Sequence, residues 1–441
     1  MLIPIIDAKE RSEYLTRIKR PDLWELADSL PPSSVTVPLF GKALKPQETV
    51  RAIINKVKQE KDQGLIEIAQ VLDNFKGNSL IYTPNKSAYD LVSPDVLSAI
   101  RLSIKRIRDF HERQIPQSFF SEEEGIWLGW RIQPVKRAGL YVPGGTAPLV
   151  SSLIMTAVPA LVAGVEEIIV ATPVKDGNLA PEIEVAALEL GITQILPVGG
   201  AQAIAALAYG TESIKRVDVI AGPGNLFVTL AKKEVYGTVG IDMLAGPSEI
   251  LVIADDKANP AFLAADLLSQ AEHDTEAAAI LITTSKDLAN KVVAELENQI
   301  EVLPRKEFAF QSLQRHGAII LVNDLKEAAL IANEIAPEHL EVQLEDADSI
   351  LPYLTNAGAI FIGEYASEPL GDYILGPNHV LPTSGSARFS SPLSVNTFLK
   401  STSLIKVSQK GYKKVGKEAA TLAAIEGLDA HKEAVLRRKK L

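Results

Sequence analysis

The chain has 441 residues, too many for one ordinary hydrophobic core, so two or more domains are expected. At 46% hydrophobic and 23% charged it has a globular composition, and a net charge of −10 argues against a nucleic-acid-binding face. It contains no cysteine, which excludes disulfides, cysteine-ligated zinc and covalent catalysis through a thiol, and fits a reducing compartment.

The longest apolar stretch, Ser151 to Val165, is too short to span a bilayer, contains Pro159 and ends against Glu166-Glu167. Acids and bases mix within the first twelve residues, unlike a signal peptide. A soluble protein of the cytoplasm or another reducing compartment, not secreted and binding neither membrane nor nucleic acid, is the expectation. The basic run Arg437-Arg438-Lys439-Lys440 reads as the solvated last turn of a helix.

Residues 1–36 form a polar, proline-punctuated extension with one possible helix around Lys9 to Arg20. Helical spacing follows from Lys45 to Phe75, with Val50, Ile53, Ile54 and Val57 on one face, and from Pro94 to Gln114, with Ile100, Ile104 and Ile107. His111 lies among Arg106, Arg108, Glu112 and Arg113 and reads as part of a solvated face. From Arg137 short apolar strands alternate with helices: strands at Ile168 to Ala171, Gln194 to Pro197, Val217 to Ile220 and Ile250 to Ala254. A second series has strands at Ala279 to Thr283, Ala318 to Val322 and Ala359 to Ile362. This rhythm predicts parallel sheets covered on both faces, that is, two doubly wound α/β units.

Residues 363–392 show little periodicity, and a stretch that long inside a domain points to function or disorder. Asp372, Asn378 and His379 within it favour function. The tail from Ser394 predicts a strand, Leu404 to Val407, then amphipathic helices that must dock on the body or on another subunit.

Six histidines are present, and four keep chemical company. Gln270 and His273 lie three apart near the end of a helix started by Asn259-Pro260, so they can face one object; a metal ligand pair and a capped helix end are both open. Glu338-His339 follows Pro337, which pushes Ala336 out of the helical region. A carboxylate beside an imidazole suits acid–base work near neutrality, or is a surface dipeptide. Asp372 with His379 and Glu426 with His431 supply further donors, and two histidines, an aspartate and a glutamine from these groups make a plausible oxygen–nitrogen zinc set. His316 reads as structural. The loops Tyr141-Val142-Pro143-Gly144-Gly145-Thr146 and Gly222-Pro223-Gly224-Asn225 could bring N–H groups to a phosphate or simply turn the chain.

Taken together these segments resemble the L-histidinol dehydrogenase family. The run Ile241-Asp242-Met243-Leu244-Ala245-Gly246-Pro247-Ser248-Glu249 is similar to the family signature. Ser269 to Asp274, Ala336 to Leu340, Gly371 to Pro382 and Glu426 to Lys432 follow in order and spacing. The resemblance implies that Gln270, His273, Asp372 and His431 bind one zinc ion per subunit, with His431 coming from the partner of a homodimer with shared active sites. It implies Glu338 and His339 as the catalytic pair. Ser248, His379 and Glu426 would contact the substrate, together with His339 and the four zinc ligands, and Tyr141, Gln202 and Asn225 would line an NAD site.

The implied fold is two Rossmann-like domains with small terminal segments. Residues 37–140 and 248–393 would form a discontinuous catalytic domain, 141–247 an inserted NAD domain, and 394–441 a dimerisation tail. The implied reaction is the NAD-dependent, four-electron oxidation of L-histidinol to L-histidine through the aldehyde. With no thiol available, the aldehyde must react as its hydrate. A zinc hydrolase or lyase and a non-catalytic binding protein are the alternatives.

Overall fold

In the computed structural model, residues 2–9, 23–77, 79–144, 148–174 and 178–440 are described. The possible helix around Lys9 to Arg20 lies almost wholly outside them, as do Gly145 and Thr146. No helix among the described residues is long and apolar enough to cross a membrane.

The chain enters with strand Ile5–Asp7 (β1), followed by helices Leu23–Ser29 (α1), Val37–Phe40 (α2), Pro46–Leu72 (α3, interrupted at Lys61) and Pro94–His111 (α4). A hairpin comes next, Phe119–Glu123 (β2) and Ile126–Pro134 (β3). Then the predicted alternation begins: Arg137–Tyr141 (β4), Val150–Ala163 (α5), Glu167–Ala171 (β5), Pro181–Glu189 (α6), Gln194–Leu196 (β6) and Gly200–Tyr209 (α7). Val219–Ala221 (β7), Leu226–Val235 (α8) and Gly240–Ile241 (β8) complete a five-stranded parallel sheet in the order β6-β5-β4-β7-β8. The chain builds outward from β4 and then returns to its other side, so β4 and β7 form the switch point where doubly wound sheets bind ligands.

Both faces of this sheet are covered. Ala201, Ala203, Ala205 and Ala206 of α7 present little bulk, and Val50, Ile53, Ile54 and Val57 of α3 pack into the same core. On the opposite face α4 packs on α5 through Ile100 and Ile107. Residues 46–111 therefore belong with the five-stranded sheet. The expected grouping of 37–140 with 248–393 does not describe their packing, because the small-residue faces that receive α3 and α4 are on α7 and α5.

The second sheet is built from Glu249–Ala254 (β9), Pro260–Ala271 (α9), Ala278–Thr283 (β10), Lys286–Ile300 (α10), Lys306–His316 (α11) and Ala318–Leu321 (β11). Leu325–Ile335 (α12), His339–Gln343 (β12) and Ala359–Ile362 (β13) extend it. Its six parallel strands run β1-β11-β10-β9-β12-β13. Two expectations change here. Ile250–Ala254, read with the first series, is part of a central strand of the second sheet. The N-terminal extension supplies an edge strand, with Ile5 to Asp7 paired to Ile319 to Leu321.

Residues 363–392 hold only a short helix, Glu368–Tyr373 (α13), and one turn at Ser386–Arg388. The tail contributes strand Leu399–Val407 (β14) and helices Gln409–Ile425 (α14) and Asp429–Leu436 (α15). β14 pairs antiparallel with β3, so tail and hairpin form one three-stranded arm. Phe119, Phe120, Trp130, Ile405, Leu422 and Ile425 leave apolar surface exposed on that arm.

Candidate active site

Ala336 takes a left-handed conformation (φ 51°) before Pro337, and this turn delivers Glu338 and His339 to the start of β12. Both side chains are buried, at 6% and 3% exposure. The Glu249 backbone joins them: its N–H donates to Glu338 Oε2 at 2.9 Å, and its carbonyl accepts from His339 Nδ1 at 2.9 Å. A carbonyl can only accept, so the neutral imidazole carries its proton on Nδ1. In that neutral form Nε2 would keep its lone pair, and it has no hydrogen-bond partner. The pair thus sits at the amino edge of the six-stranded sheet.

Helix α9 runs back to the same edge. Asn259 accepts from Ala261 N at 3.0 Å with Pro260 in the first turn, as its sequence predicts. At the other end Gln270 is 1% exposed and its Oε1 has no donor, while His273 follows just beyond the cap. Helix α13 brings Asp372, whose Oδ1 lies 3.7 Å from His339 Nε2 and whose Oδ2 lies 3.9 Å from His379 Nδ1. Glu368 on the same helix approaches His339 Nε2 at 3.8 Å.

Buried carboxylates outnumber fixed cations here. Burial, opposed by neighbouring His339, leaves the Glu338 carboxyl pushed up to about 7. Burial, reinforced by Asp372, pushes Glu368 up to about 8. Desolvation would lower His339, but Glu338, Asp372 and Glu368 together raise it to about 10, so these carboxylates favour the protonated ring until a bound cation offsets their charge. Asp372 is driven up by burial yet ends below its ordinary value because His339 and His379 face it. Desolvation lowers both His273 and His379, keeping them neutral and fit to donate lone pairs. A site this negative suits a bound cation, and the orphaned Gln270 oxygen points to the same need. The residues present fit a divalent metal. Among the described His, Asp and Glu side chains, ligand atoms of His339, Glu368 and Asp372 lie within 4.8 Å of one another. This grouping shares Asp372 with the expected zinc set.

These residues line one cavity of about 1190 Å³, with Ser248, Gln270, Glu338 and His379 on its wall. The opposite wall comes from the switch point of the five-stranded sheet: Pro143, Ser151, Gly224 and Asn225. That volume exceeds the roughly 300–1,000 Å³ of common small-molecule pockets. Asn225 caps α8 by accepting from Val228 N at 3.2 Å. Beneath the glycine loop, Asp242 pairs with buried Lys232 and accepts from Gly222 N at 2.7 Å.

Tyr141 and Gln202 are buried below this wall. Tyr141 Oη accepts from Gly200 N at 3.0 Å, and Gln202 Nε2 donates to Asp73, which also accepts from Gly199 N. They brace the start of α7, and the cavity lining does not include them. Glu426 and His431 stand apart from the other expected residues, exposed on the C-terminal arm and absent from the cavity wall.

Sequence reasoning misplaced His111, which is fully buried rather than solvated. It continues the stripe Ile100, Ile104, Ile107, a signal hidden by its charged neighbours. His316 pairs with Glu276 at 3.0 Å, in keeping with a structural role. Glu368 was overlooked, although its spacing of four from Asp372 puts both on one helical face. Also overlooked were Glu341 and Asp266, two buried acids bridged by Gln343 beneath the site; Glu341 accepts from Glu368 N at 2.9 Å.

Comparison with known proteins gives one answer. The family model described as histidinol dehydrogenase matches residues 42–439. The chain is 50% identical to a histidinol dehydrogenase of Aquifex aeolicus over 397 residues, 89% of this chain and 92% of that protein. It is also 50% identical to one of Carboxydothermus hydrogenoformans over 390 residues, 87% and 92% of the two. The crystal structure of histidinol dehydrogenase from Elizabethkingia anophelis superposes with a TM-score of 0.88 at 37% identity, covering 97% of this chain and 96% of that one.

Proposed function

The chain belongs to the histidinol dehydrogenase family, and from that premise we propose that it oxidises L-histidinol through the aldehyde to L-histidine, using NAD and one zinc ion per subunit. It is an oxidoreductase of histidine biosynthesis. The observation that carries the finer reading is the pair Glu338 and His339, held by one backbone unit at the edge of a cavity that spans both sheets.

Gln270, His273 and Asp372, with His431 of the partner subunit, would hold the zinc. Two unpartnered atoms, Gln270 Oε1 and His339 Nε2, support separate tasks: a metal ligand for the first and a proton acceptor for the second. When bound, zinc supplies a positive charge that anchors the nitrogen donors of the substrate, and NAD in the crevice beside Gly224 and Asn225 supplies the hydride acceptor.

The chain's own part is proton handling and orientation. His339 Nε2 takes the hydroxyl proton as the alcohol carbon is oxidised. Glu338, with its carboxyl near 7, takes a proton from the water that adds to the aldehyde. The hydrate is again an alcohol, so His339 serves the second oxidation as it served the first. No thiol is present to form a thiohemiacetal. Ser248 and His379 would contact the substrate from this chain, and Glu426 from the partner subunit. Asn225 would face the nucleotide, with Tyr141 and Gln202 bracing the wall behind it.

The homodimer with shared sites rests on two features of the arm. Its apolar residues Trp130, Ile405, Leu422 and Ile425 are exposed, and beside them Glu426 and His431 present chemistry with nothing to act on. Adding L-histidinol to the zinc-loaded protein should reduce two equivalents of NAD per substrate, read by absorbance. Absence of reduced NAD would leave a hydrolase, lyase or binding protein as the better reading.

A further inference from the structure

His111 closes helix α4 with its ring fully buried, and no step of the proposed reaction uses it. Its bonds fix its state. Gln114 Oε1 can only accept, and it receives His111 Nδ1–H at 2.7 Å and Val395 N–H at 3.3 Å. His111 Nε2 therefore keeps a lone pair and accepts from Asn378 Nδ2 at 3.4 Å. The other amide hydrogen of Asn378 goes to the carbonyl of Met155 on α5 at 2.6 Å. Asn378 Oδ1 accepts from Val380 N at 2.9 Å. Both bonds of the buried ring are made only if His111 is neutral, and desolvation does lower it below its ordinary value.

The network crosses between the walls of the cavity. Met155 belongs to the helix that leaves β4 at the nucleotide crevice, whereas Asn378 immediately precedes His379 on the substrate side. Helix α4 grips the same loop twice more: Ser103 Oγ donates to Tyr373 O at 2.7 Å and Arg106 Nε to Ile374 O at 3.0 Å. Gly376 passes so close that a β-carbon there would lie 3.1 Å from Phe110 Cβ, and its φ of 126° suits glycine.

We propose that His111 is a positioning residue: through Asn378 it locks the loop carrying His379 to helix α5, and so sets the separation between the nucleotide crevice and the substrate groups. The assignment of the two walls rests on the proposed function. Hydride transfer is sensitive to that separation, since a shift of about 1 Å can cost on the order of 100-fold in rate.

The test compares His111→Leu, which fills the space but removes both bonds, with His111→Gln, whose carbonyl oxygen can replace Nε2 as acceptor. Hydrogen exchange, zinc content, NAD affinity and kcat are measured on the zinc-loaded full chain. For His111→Leu the expectation is exchange at Val380 and Val395 faster by about 10-fold or more, and kcat lower by roughly 10- to 100-fold. Zinc content and NAD affinity stay within about twofold, and His111→Gln recovers most of the turnover. If His111→Leu does not fold, Asn378→Ser removes the same bond from the loop side and is read in the same way. Unchanged exchange in the leucine variant would overturn the proposal. So would parallel loss of zinc, NAD affinity and turnover in both variants. Exchange needs no turnover, so a chain inert towards histidinol would defeat the functional reading while the lock is still decided.

Discussion

Glu338 and His339 stand on an inner strand of a six-stranded sheet, buried, with their orientation set by the backbone of Glu249. Glu426 and His431 stand on an arm whose own strands and helices leave them exposed. One half of the candidate site is finished before any ligand arrives, and the other half is chemistry without a pocket. The difference teaches that one chain by itself orders the pair Glu338 and His339 but leaves Glu426 and His431 away from the cavity. On the proposed reading, the exposed apolar residues on the same arm are where a partner subunit would dock and complete the site.

The largest expected effect lies in the finished half. His339→Asn keeps a polar, neutral side chain but no comparable base, and turnover should fall by roughly 10²- to 10⁴-fold with zinc content unchanged by metal analysis. Unchanged turnover would remove His339 from the mechanism. In the unfinished half, Ile425→Asp puts a charge into the apolar face of the arm. Sedimentation should show dimer dissociation strengthened by about 10-fold or more, with zinc lost from the monomer. A monomer that keeps its zinc would show that the arm is not needed to complete the site.

A smaller effect concerns the acids beneath the finished half. Glu341 is pushed up to about 8 chiefly by burial and then by Asp266, and Glu368 is raised in the same direction. Between the ordinary carboxylate value and that raised one, the folded chain holds a proton that the unfolded chain releases. Stability from this group is therefore full at low pH and is lost as pH rises through about 8. Denaturant unfolding at pH 5 and pH 8 should show this decline, and Glu341→Gln should flatten it. An unaltered slope would mean that Glu341 is ionised in the folded state.

The finished half was also the more legible one. Strands such as Ala278–Thr283 announce themselves as continuous apolar runs, and the caps at Asn259 and the turn at Ala336-Pro337 follow from local backbone chemistry. What stayed hidden depended on contacts distant in sequence. An amphipathic helix shows which face it buries but not against what, so α3 and α4 were assigned to the wrong sheet. The three residues of β1 are too few for a period to show. His111 was masked by the charges around it, and Glu368 by a loop in which only its spacing to Asp372 could have revealed a shared face. Tyr141 and Gln202 carried no sign that they brace the crevice wall from behind.

The claim that the site is completed across two chains is tested most directly by mixing. His339→Asn and His431→Ala are each expected to be inactive as homodimers. In a mixed dimer one site carries both defects and the other carries neither. Random exchange of equal amounts should therefore restore roughly a quarter of wild-type activity. No recovery, with subunit exchange demonstrated by mass spectrometry, would contradict the account and place His431 in the same chain as the site it serves.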